Sequence, residues 1–90
     1  MDSNFNFKHK IGLNDSMIEF TKMCILLSMS EFPTNRYEEA RLIKNKFDEK
    51  YSGTWNCVIY KSGDGDQCSN YQDYFINVRY QDNTFIIWKF

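Results

Sequence analysis

The 90-residue chain has few of the residues that interrupt regular structure, with one proline and four glycines. With so few breakers, most of the chain is expected to form helices and strands. Its three cysteines are an odd number, and they show neither the regular spacing of a disulfide scaffold nor an accompanying signal-peptide pattern. Both features favour a reducing compartment. The length allows one hydrophobic core, so we expect a single domain over residues 1–90.

An excess of charge of one sign and long apolar runs are also missing. Eleven Lys and Arg against twelve Asp and Glu leave a formal charge of −1. This excludes the broad basic footprint of a non-specific nucleic-acid binder and disfavours a polybasic membrane-surface role. No apolar run approaches the roughly 18 residues of a transmembrane helix, so the sequence predicts no membrane partner.

Catalytic and cofactor-binding patterns are absent as well. The chain has one histidine, no Ser/His/Asp arrangement and no glycine-rich phosphate loop, so we predict no enzymatic activity and no cofactor. The run Asp64-Gly65-Asp66 has calcium-loop character, but Cys68 would occupy the next ligand position, so we interpret it as a polar turn. His9 and the cysteines lack CxxC or HxxxH spacing, and we predict no metal site.

The first half of the chain predicts a short strand and two helices. Alternating apolar positions of the strand are Phe5, Phe7, His9 and Ile11, which predicts one apolar face. The first helix begins either at a capping box formed by Ser16 and Glu19 or at Asn14. Its apolar residues recur at three- and four-residue spacing: Met17, Phe20, Cys24 and Leu27.

The second helix is predicted to be capped by Asn35 with Glu38 and to stop at Ser52-Gly53. Its expected buried face consists of Ala40, Ile43, Phe47 and Tyr51. From Thr54 onward the hydrophobic period switches to two, which is typical of strands. A turn at Gln81-Asp82-Asn83 suits a hairpin.

This order of elements predicts an α+β fold in which two helices pack on an antiparallel β-sheet. Sixteen aromatic residues, with alternating tyrosines and an apolar run from Phe85 to Trp88, supply apolar groups for both faces of that sheet. Two helices can cover only one face. The chain is therefore expected to form a homodimer through the sheet.

One segment carries a family resemblance. Residues 43–58 read IKNKFDEKYSGTWNCV, which resembles the IKKEFDKKYNPTWHCIV signature of the small, swapped-dimer dynein light chains. Cys24, Phe75-Ile76 and Trp88-Lys89 also fit, so the resemblance extends over essentially the whole chain. It implies a strand-swapped homodimer with two symmetric grooves, each of which takes an extended peptide as an added strand.

The resemblance also implies a role, a location and partners. The expected function is a non-catalytic adaptor, acting as a dynein light chain or as a dimerisation hub in the cytoplasm and associated with the cytoskeleton. The expected partners are a second copy of the chain and extended peptide segments of other proteins, with the dynein intermediate chain as one candidate. Because one dimer holds two peptides, the second binding event is effectively intramolecular.

Carried over residue by residue, the resemblance assigns a peptide-binding groove whose side chains have changed. The strand that swaps corresponds to Gly65, Asp66, Gln67, Cys68, Ser69 and Asn70, where the glycine is kept but the aromatic and β-branched positions are not. The aromatic floor corresponds to Phe75, Asn77 and Arg79, of which only Phe75 is aromatic. A ligand-binding lysine of the second helix corresponds to Tyr37, with Arg36 adjacent. We expect Arg36 and Arg79 to favour an acidic ligand over the family's Thr-Gln-Thr motif.

The resemblance assigns the dimer interface in the same way. The corresponding residues are Trp55, Asn56, Cys57, Val58, Cys68 and Ser69. Asn56 stands where the family has a histidine tied to acid-driven dissociation of the dimer, so we expect that proton switch to be missing.

A second hypothesis from another functional class accounts for the altered groove. The chain could be a structural dimerisation domain with a degenerate groove, as in the light chain-like half of tegumental calcium-binding proteins of parasitic flatworms, which carry EF-hands in the other half. The weak match at the groove positions favours this alternative.

Overall fold

The computed structural model describes residues 4–61 and 74–89, which form an α+β arrangement of two helices on one antiparallel sheet. The elements in chain order are β1 (Phe5–Ile11), α1 (Asp15–Glu31), α2 (Arg36–Tyr51), β2 (Trp55–Lys61), β3 (Tyr74–Tyr80) and β4 (Asn83–Lys89). The four strands lie in the order β1-β3-β4-β2, and every neighbouring pair is antiparallel. The predicted fold class is confirmed.

Helix α1 begins at Asn14, which is the second of the two starts that the sequence left open. The Asn14 side-chain oxygen accepts a hydrogen bond from the Met17 backbone N–H at 2.9 Å. Glu19 instead pairs with Lys22, with 3.2 Å between the carboxylate oxygen and Nζ. Cys24 lies fully buried on the inner face, as its place in the apolar stripe indicates.

Helix α2 is capped as predicted, because the Asn35 side-chain oxygen accepts from the Glu38 N–H at 3.1 Å. Ile43 and Phe47 are fully buried on its inner face. The helix gives way to β2 through Ser52 and Gly53, both of which have positive φ, 56° and 88°.

A single carboxylate joins the end of α2 to the start of β2. Asp48 Oδ1 accepts from the Trp55 backbone N–H at 2.8 Å, and Asp48 Oδ2 accepts from Lys44 Nζ at 2.6 Å. Burial raises the pKa of Asp48, but the hydrogen bonds from Lys44 and Trp55 and the Lys44 charge outweigh it, so the pKa is lowered. The carboxylate therefore fixes where the edge strand starts relative to the helix.

Strands β3 and β4 form the predicted hairpin, with Tyr80 opposite Asn83 and Gln81 at φ 57° in the turn. Strand β1 departs from its predicted alternation. Phe7 pairs with Val78 on the helix-facing side, but a bulge follows it and places Ile11 opposite Phe75 on the other side. The extra residue of the bulge reverses the alternation, so the prediction of one shared apolar face is wrong beyond Phe7.

The core lies between the helices and one face of the sheet. Its buried members are Met17, Cys24, Ile25, Ile43, Phe47, Trp55, Ile76, Val78, Tyr80, Phe85 and Ile87. Phe47 is its aromatic centre, with ring centroids 5.2 Å from Phe20 and 4.9 Å from Trp55. Tyr51 and Tyr74 extend this aromatic cluster on either side.

The opposite face of the sheet, which we call the outer face, also buries side chains. Phe75 is 1% exposed, Ile86 2%, and Asn77 and Thr84 4% each. Neither helix lies on this face, because every helical residue of the core packs with residues of the other face. Apolar groups on both faces of the sheet were predicted from the alternation, and the burial of β3 and β4 confirms that prediction.

Candidate interaction site at the outer edge of the sheet

The described sheet has two edge strands, and only one of them is protected against pairing with another strand. β1 carries a bulge after Phe7, and Lys8 and Lys10 are exposed along it. Bulges and lysines are common devices that stop an edge from taking an additional strand. β2 pairs with β4 without a register shift from Trp55 to Lys61, and Lys61 at its end is its only charged residue. The β2 edge is therefore the one suited to strand addition.

A groove runs between α2 and this edge. Its cavity of about 200 Å³ is lined by Tyr37, Ala40, Arg41, Lys44 and Cys57. Ala40 and Cys57 are half-buried, whereas Tyr37 is 74% exposed. Side chains of a strand added to β2 alternate between the two sheet faces, so every second one would point towards this groove. We call it the α2–β2 groove.

The charges of the α2–β2 groove already have partners on the same helix. Arg41 lies 3.6 Å from Glu38, and Lys44 lies 2.6 Å from Asp48. The Arg41 pair is exposed and long, so its guanidinium can be drawn to another carboxylate at little cost. The Lys44–Asp48 pair is short. Asp48 is held in place further by the hydrogen bond that it accepts from the Trp55 N–H at the start of β2.

The thiol of Cys57 faces the groove as a small uncharged group. Burial raises its pKa, and the nearby Cys24 and Glu39 raise it further. The thiolate is the nucleophilic and metal-binding form, so Cys57 is inert at neutral pH. Within residues 4–61 and 74–89, no three His, Cys, Asp or Glu side chains lie together in a way that could hold a metal ion.

The predicted interface residues of β2 divide between the two faces of the strand. Trp55 is fully buried in the core, where its indole N–H donates to the Ser52 carbonyl at 3.0 Å. Cys57 lies on the same face. Asn56 and Val58 lie on the outer face, and Val58 is 45% exposed. Trp55 can therefore meet a partner only through its backbone at the edge, whereas the side chain of Val58 is accessible.

The three predicted floor residues are on β3. Phe75 and Asn77 are buried on the outer face, and Arg79 follows them on that face but is exposed. Arg79 lines a wide cavity of about 500 Å³ together with Asn4, Asn6 and Gln81. Asn77 Oδ1 is buried without a hydrogen-bond partner, as is Asn56 Nδ2 on β2.

The two residues predicted at the start of α2 have different surroundings. Tyr37 lines the α2–β2 groove, as noted above. Arg36 points towards β4, where its Nη2 and Nε donate to Asn83 Oδ1 at 2.7 and 3.2 Å. Arg36 and Arg79 line different cavities, so the structure does not bring them together. The rest of the predicted groove, Gly65, Asp66, Gln67, Cys68, Ser69 and Asn70, lies outside the described residues.

Sequence reasoning missed two features of this region. Arg41 and Lys44 were not singled out from the sequence, but they line the groove because β2 runs beside them. Their spacing from Tyr37, four and seven residues, is a helical stripe that could have indicated this. Glu39 was not singled out from the sequence. It is only 4% exposed, because it lies on the inner side of α2, four residues before the core residue Ile43.

One comparison with known proteins identifies a family. A family model described as dynein light chain type 1 matches residues 8–90. No curated protein is significantly similar in sequence to the chain. Within the described residues no helix is long and apolar enough to cross a membrane.

Solved structures show the same fold at low sequence identity. The dynein light chain-like domain of Fasciola hepatica calcium binding protein FhCaBP2, as a mercury derivative, has a TM-score of 0.83 and 18% identity, covering 100% of this chain and 95% of that one. Its native form has a TM-score of 0.79 and 19% identity, with 99% and 94% covered. The dynein light chain-like domain of CsTAL3 has a TM-score of 0.75 and 11% identity, with 99% and 95% covered.

Proposed function

The chain belongs to the dynein light chain family, and we propose that it is a non-catalytic homodimeric adaptor that binds extended peptides by strand addition. The observation that carries the proposal is the unprotected edge of β2 with the α2–β2 groove beside it. The strand swapped from a second copy would continue the sheet at this edge, and an extended peptide would add to the free side of that strand through backbone hydrogen bonds.

The second copy is the first partner of this edge. Val58 presents an exposed apolar side chain on the outer face of β2, next to the half-buried Asn56. An exposed apolar side chain on an open edge favours pairing with another chain. We propose residues Trp55–Val58 as part of the dimer interface, with Cys68 and Ser69 of the swapped strand as their partners.

Peptide ligands are the second class of partner. The proposed peptide-binding residues are those carried over from the family: Gly65, Asp66, Gln67, Cys68, Ser69, Asn70, Phe75, Asn77, Arg79, Arg36 and Tyr37. The α2–β2 groove adds Arg41, whose exposed guanidinium favours an acidic side chain in the ligand. The dynein intermediate chain remains a candidate ligand, and a cytoplasmic, cytoskeleton-associated location follows from the same proposal.

One observation favours the alternative of a structural dimerisation domain. The solved structures of this fold include a domain of a calcium binding protein from Fasciola hepatica. In this chain, Asn77 and Arg79 stand at two of the three aromatic floor positions. A domain of this kind would dimerise through the same edge but would not bind the family's peptides.

Dimerisation is tested by measuring mass with light scattering for the chain and two lysine variants. Val58→Lys places a charge on the open edge, whereas Met23→Lys alters a residue of similar exposure, 48%, on α1. We expect the unaltered chain and Met23→Lys to be dimers and Val58→Lys to have a dimer dissociation constant at least about tenfold higher. A monomeric unaltered chain would contradict both functions.

Peptide binding is then measured by isothermal titration with a Thr-Gln-Thr peptide and with an acidic variant of it. Binding of one peptide per chain, weakened by Arg41→Gln for the acidic peptide, supports the adaptor. A dimer that binds neither peptide supports the structural domain instead. Far-ultraviolet circular dichroism of each variant verifies that the fold is retained.

A further inference from the structure

Tyr37 has an exposure that is unusual for a tyrosine. The residue is 74% exposed, the highest value among the large apolar residues of the described chain. Tyrosine usually packs its ring and keeps only the hydroxyl in contact with water. The other tyrosines of the described chain are half-buried or buried: Tyr51, Tyr60, Tyr74 and Tyr80. Tyr37 is therefore the described tyrosine whose hydroxyl an enzyme can reach.

The position of Tyr37 in α2 adds to this access. It is the second residue of the helix and follows the short connection, residues 32–35, between the two helices. The first turn of a helix opens at a lower free-energy cost than its interior. The N-terminal end of a helix also stabilises negative charge. Both features make this turn receptive to a negatively charged group.

The α2–β2 groove beside Tyr37 has cations and no acid among its described lining residues. Arg41 follows Tyr37 by four residues, a spacing at which two helical side chains can meet. Its present partner is Glu38 at 3.6 Å, and the two side chains are 61% and 32% exposed. An exposed pair of that length contributes little, so the guanidinium is available to a stronger acceptor. A phosphate group, with a charge of about −1.5 to −2 at pH 7 and three acceptor oxygens, is such an acceptor.

The other charged groups near Tyr37 do not take the place of Arg41. Lys44 and Arg36 already make short contacts elsewhere, at 2.6 and 2.7 Å. The two glutamates that follow Tyr37 directly in the sequence are one and two residues away, and side chains at those spacings do not face each other on a helix. Arg41 is therefore the group placed to hold a negative charge on Tyr37.

We propose that Tyr37 is a phosphorylation site that regulates the α2–β2 groove. A protein tyrosine kinase transfers the γ-phosphoryl group of a nucleoside triphosphate to the phenolic oxygen. An oxygen–phosphorus bond forms at Tyr37, and the bond from the γ-phosphorus to the β–γ bridging oxygen breaks. The phenolic proton is released, and the nucleoside diphosphate departs. The attached phosphate pairs with Arg41 and occupies the groove, whose volume is about 200 Å³.

Phosphorylation has a defined consequence for the choice of ligand. The phosphate takes the guanidinium of Arg41 that an acidic ligand needs, and it repels carboxylates that approach the groove. The phosphorylated chain therefore excludes acidic peptides. This consequence rests on the proposed function, whereas the modification site itself does not.

Access to Tyr37 is tested with a tyrosine kinase chosen because it phosphorylates a synthetic peptide of residues 32–44. The folded chain is treated with the same kinase and adenosine triphosphate, and the product is mapped by mass spectrometry. We expect phosphate on Tyr37, and Tyr37→Phe, which lacks the hydroxyl, is the control for the assignment. A folded chain in which Tyr37 stays unmodified overturns the proposal.

The contact with Arg41 is tested by phosphorus nuclear magnetic resonance of the chain phosphorylated at Tyr37. A neighbouring guanidinium stabilises the dianion, so the phosphate of the unaltered chain should lose its second proton at a lower pH than that of Arg41→Gln. Arg79→Gln removes another exposed arginine, outside the α2–β2 groove, and should leave the titration unchanged. Equal titrations in the unaltered chain and in Arg41→Gln overturn the proposed contact.

The effect on ligands is measured by isothermal titration with an acidic peptide. Phosphorylation of Tyr37 is expected to raise the dissociation constant by at least about tenfold, the loss of one hydrogen-bonded charge pair. Equal affinity of the two forms overturns the regulatory role. If the unphosphorylated chain binds no acidic peptide, the proposed adaptor function fails, and the kinase and resonance measurements still decide whether Tyr37 is the modification site.

Discussion

Replacing Asp48 tests the claim that one carboxylate fixes the edge strand to the helix. In Asp48→Ala the buried Trp55 N–H loses a charged acceptor at 2.8 Å, a bond whose removal costs about 1.5–3 kcal/mol. The same substitution removes the ion pair with Lys44, in which the side chains are 38% and 28% exposed. Such pairs four residues apart contribute only about 0.3–0.5 kcal/mol. The expected total loss is therefore about 2–3.5 kcal/mol.

Two further variants separate these contributions. Asp48→Asn keeps an oxygen acceptor for Trp55 but removes the charge, and we expect it to cost about 1 kcal/mol. Lys44→Met removes only the ion pair and is expected to cost about 0.5 kcal/mol or less. For a chain of this size, the Asp48→Ala loss corresponds to a fall of about 10 °C or more in the thermal midpoint.

The assay is urea unfolding followed by tryptophan fluorescence, with every variant at the same protomer concentration, because the proposed dimerisation would make stability concentration-dependent. A Lys44→Met loss as large as that of Asp48→Ala would refute the argument that the backbone bond dominates. The pH dependence gives a second check. The pKa of Asp48 is lowered in the folded chain, so its contribution is present above the unfolded pKa and is lost as the pH falls through the folded pKa. Asp48→Asn should lose less stability than the unaltered chain in that acid range.

Two other predictions follow from the described contacts. Gly53 has φ +88°, and a Cβ there would lie 2.5 Å from Lys89 Cε, so Gly53→Ala should lower the free energy of unfolding by about 1–2 kcal/mol. The double variant with Lys89→Ala should recover only part of that loss; full recovery would show that the backbone conformation costs nothing. Burial raises the pKa of Cys24 to about 12, so mass mapping after iodoacetamide treatment at pH 8 should find Cys24 modified only under conditions that unfold the chain. Rapid modification in the absence of denaturant would contradict its burial.

Much of the fold could be predicted from the spacing of apolar residues. The cap of α2 at Asn35 and the buried positions Cys24, Ile43 and Phe47 depend on local chemistry and on helical period, which are visible in the chain itself. The start of α1 was ambiguous because Asn14 and Ser16 are both good caps, and the choice depends on which of the two has the extended backbone of a cap, which in the structure is Asn14. The β1 bulge could not be predicted, because its extra residue has no signature in the alternation before it.

The candidate site was less accessible to sequence reasoning. The family motif predicts β2 as an interface strand, but it could not show that Trp55 faces the core while Val58 faces outward on an edge strand of the described sheet. Arg41 and Lys44 could be recognised as groove residues only once β2 was known to run beside α2. The sequence analysis expected Arg36 and Arg79 to act together on one ligand. In the structure the sheet separates them, and each lines its own cavity.

Periodicity, composition and a contiguous motif were enough to predict the α+β class, the family and the need to cover two faces of the sheet. Which edge of the described sheet lacks a bulge, and which polar residues are buried, could be seen only in the folded chain. Strand order decides the edge, and long-range packing decides the burial. Glu39 illustrates the difference: a glutamate in the first turn of a helix is ordinary in sequence, and only the packing of α2 against the sheet leaves the residue 4% exposed.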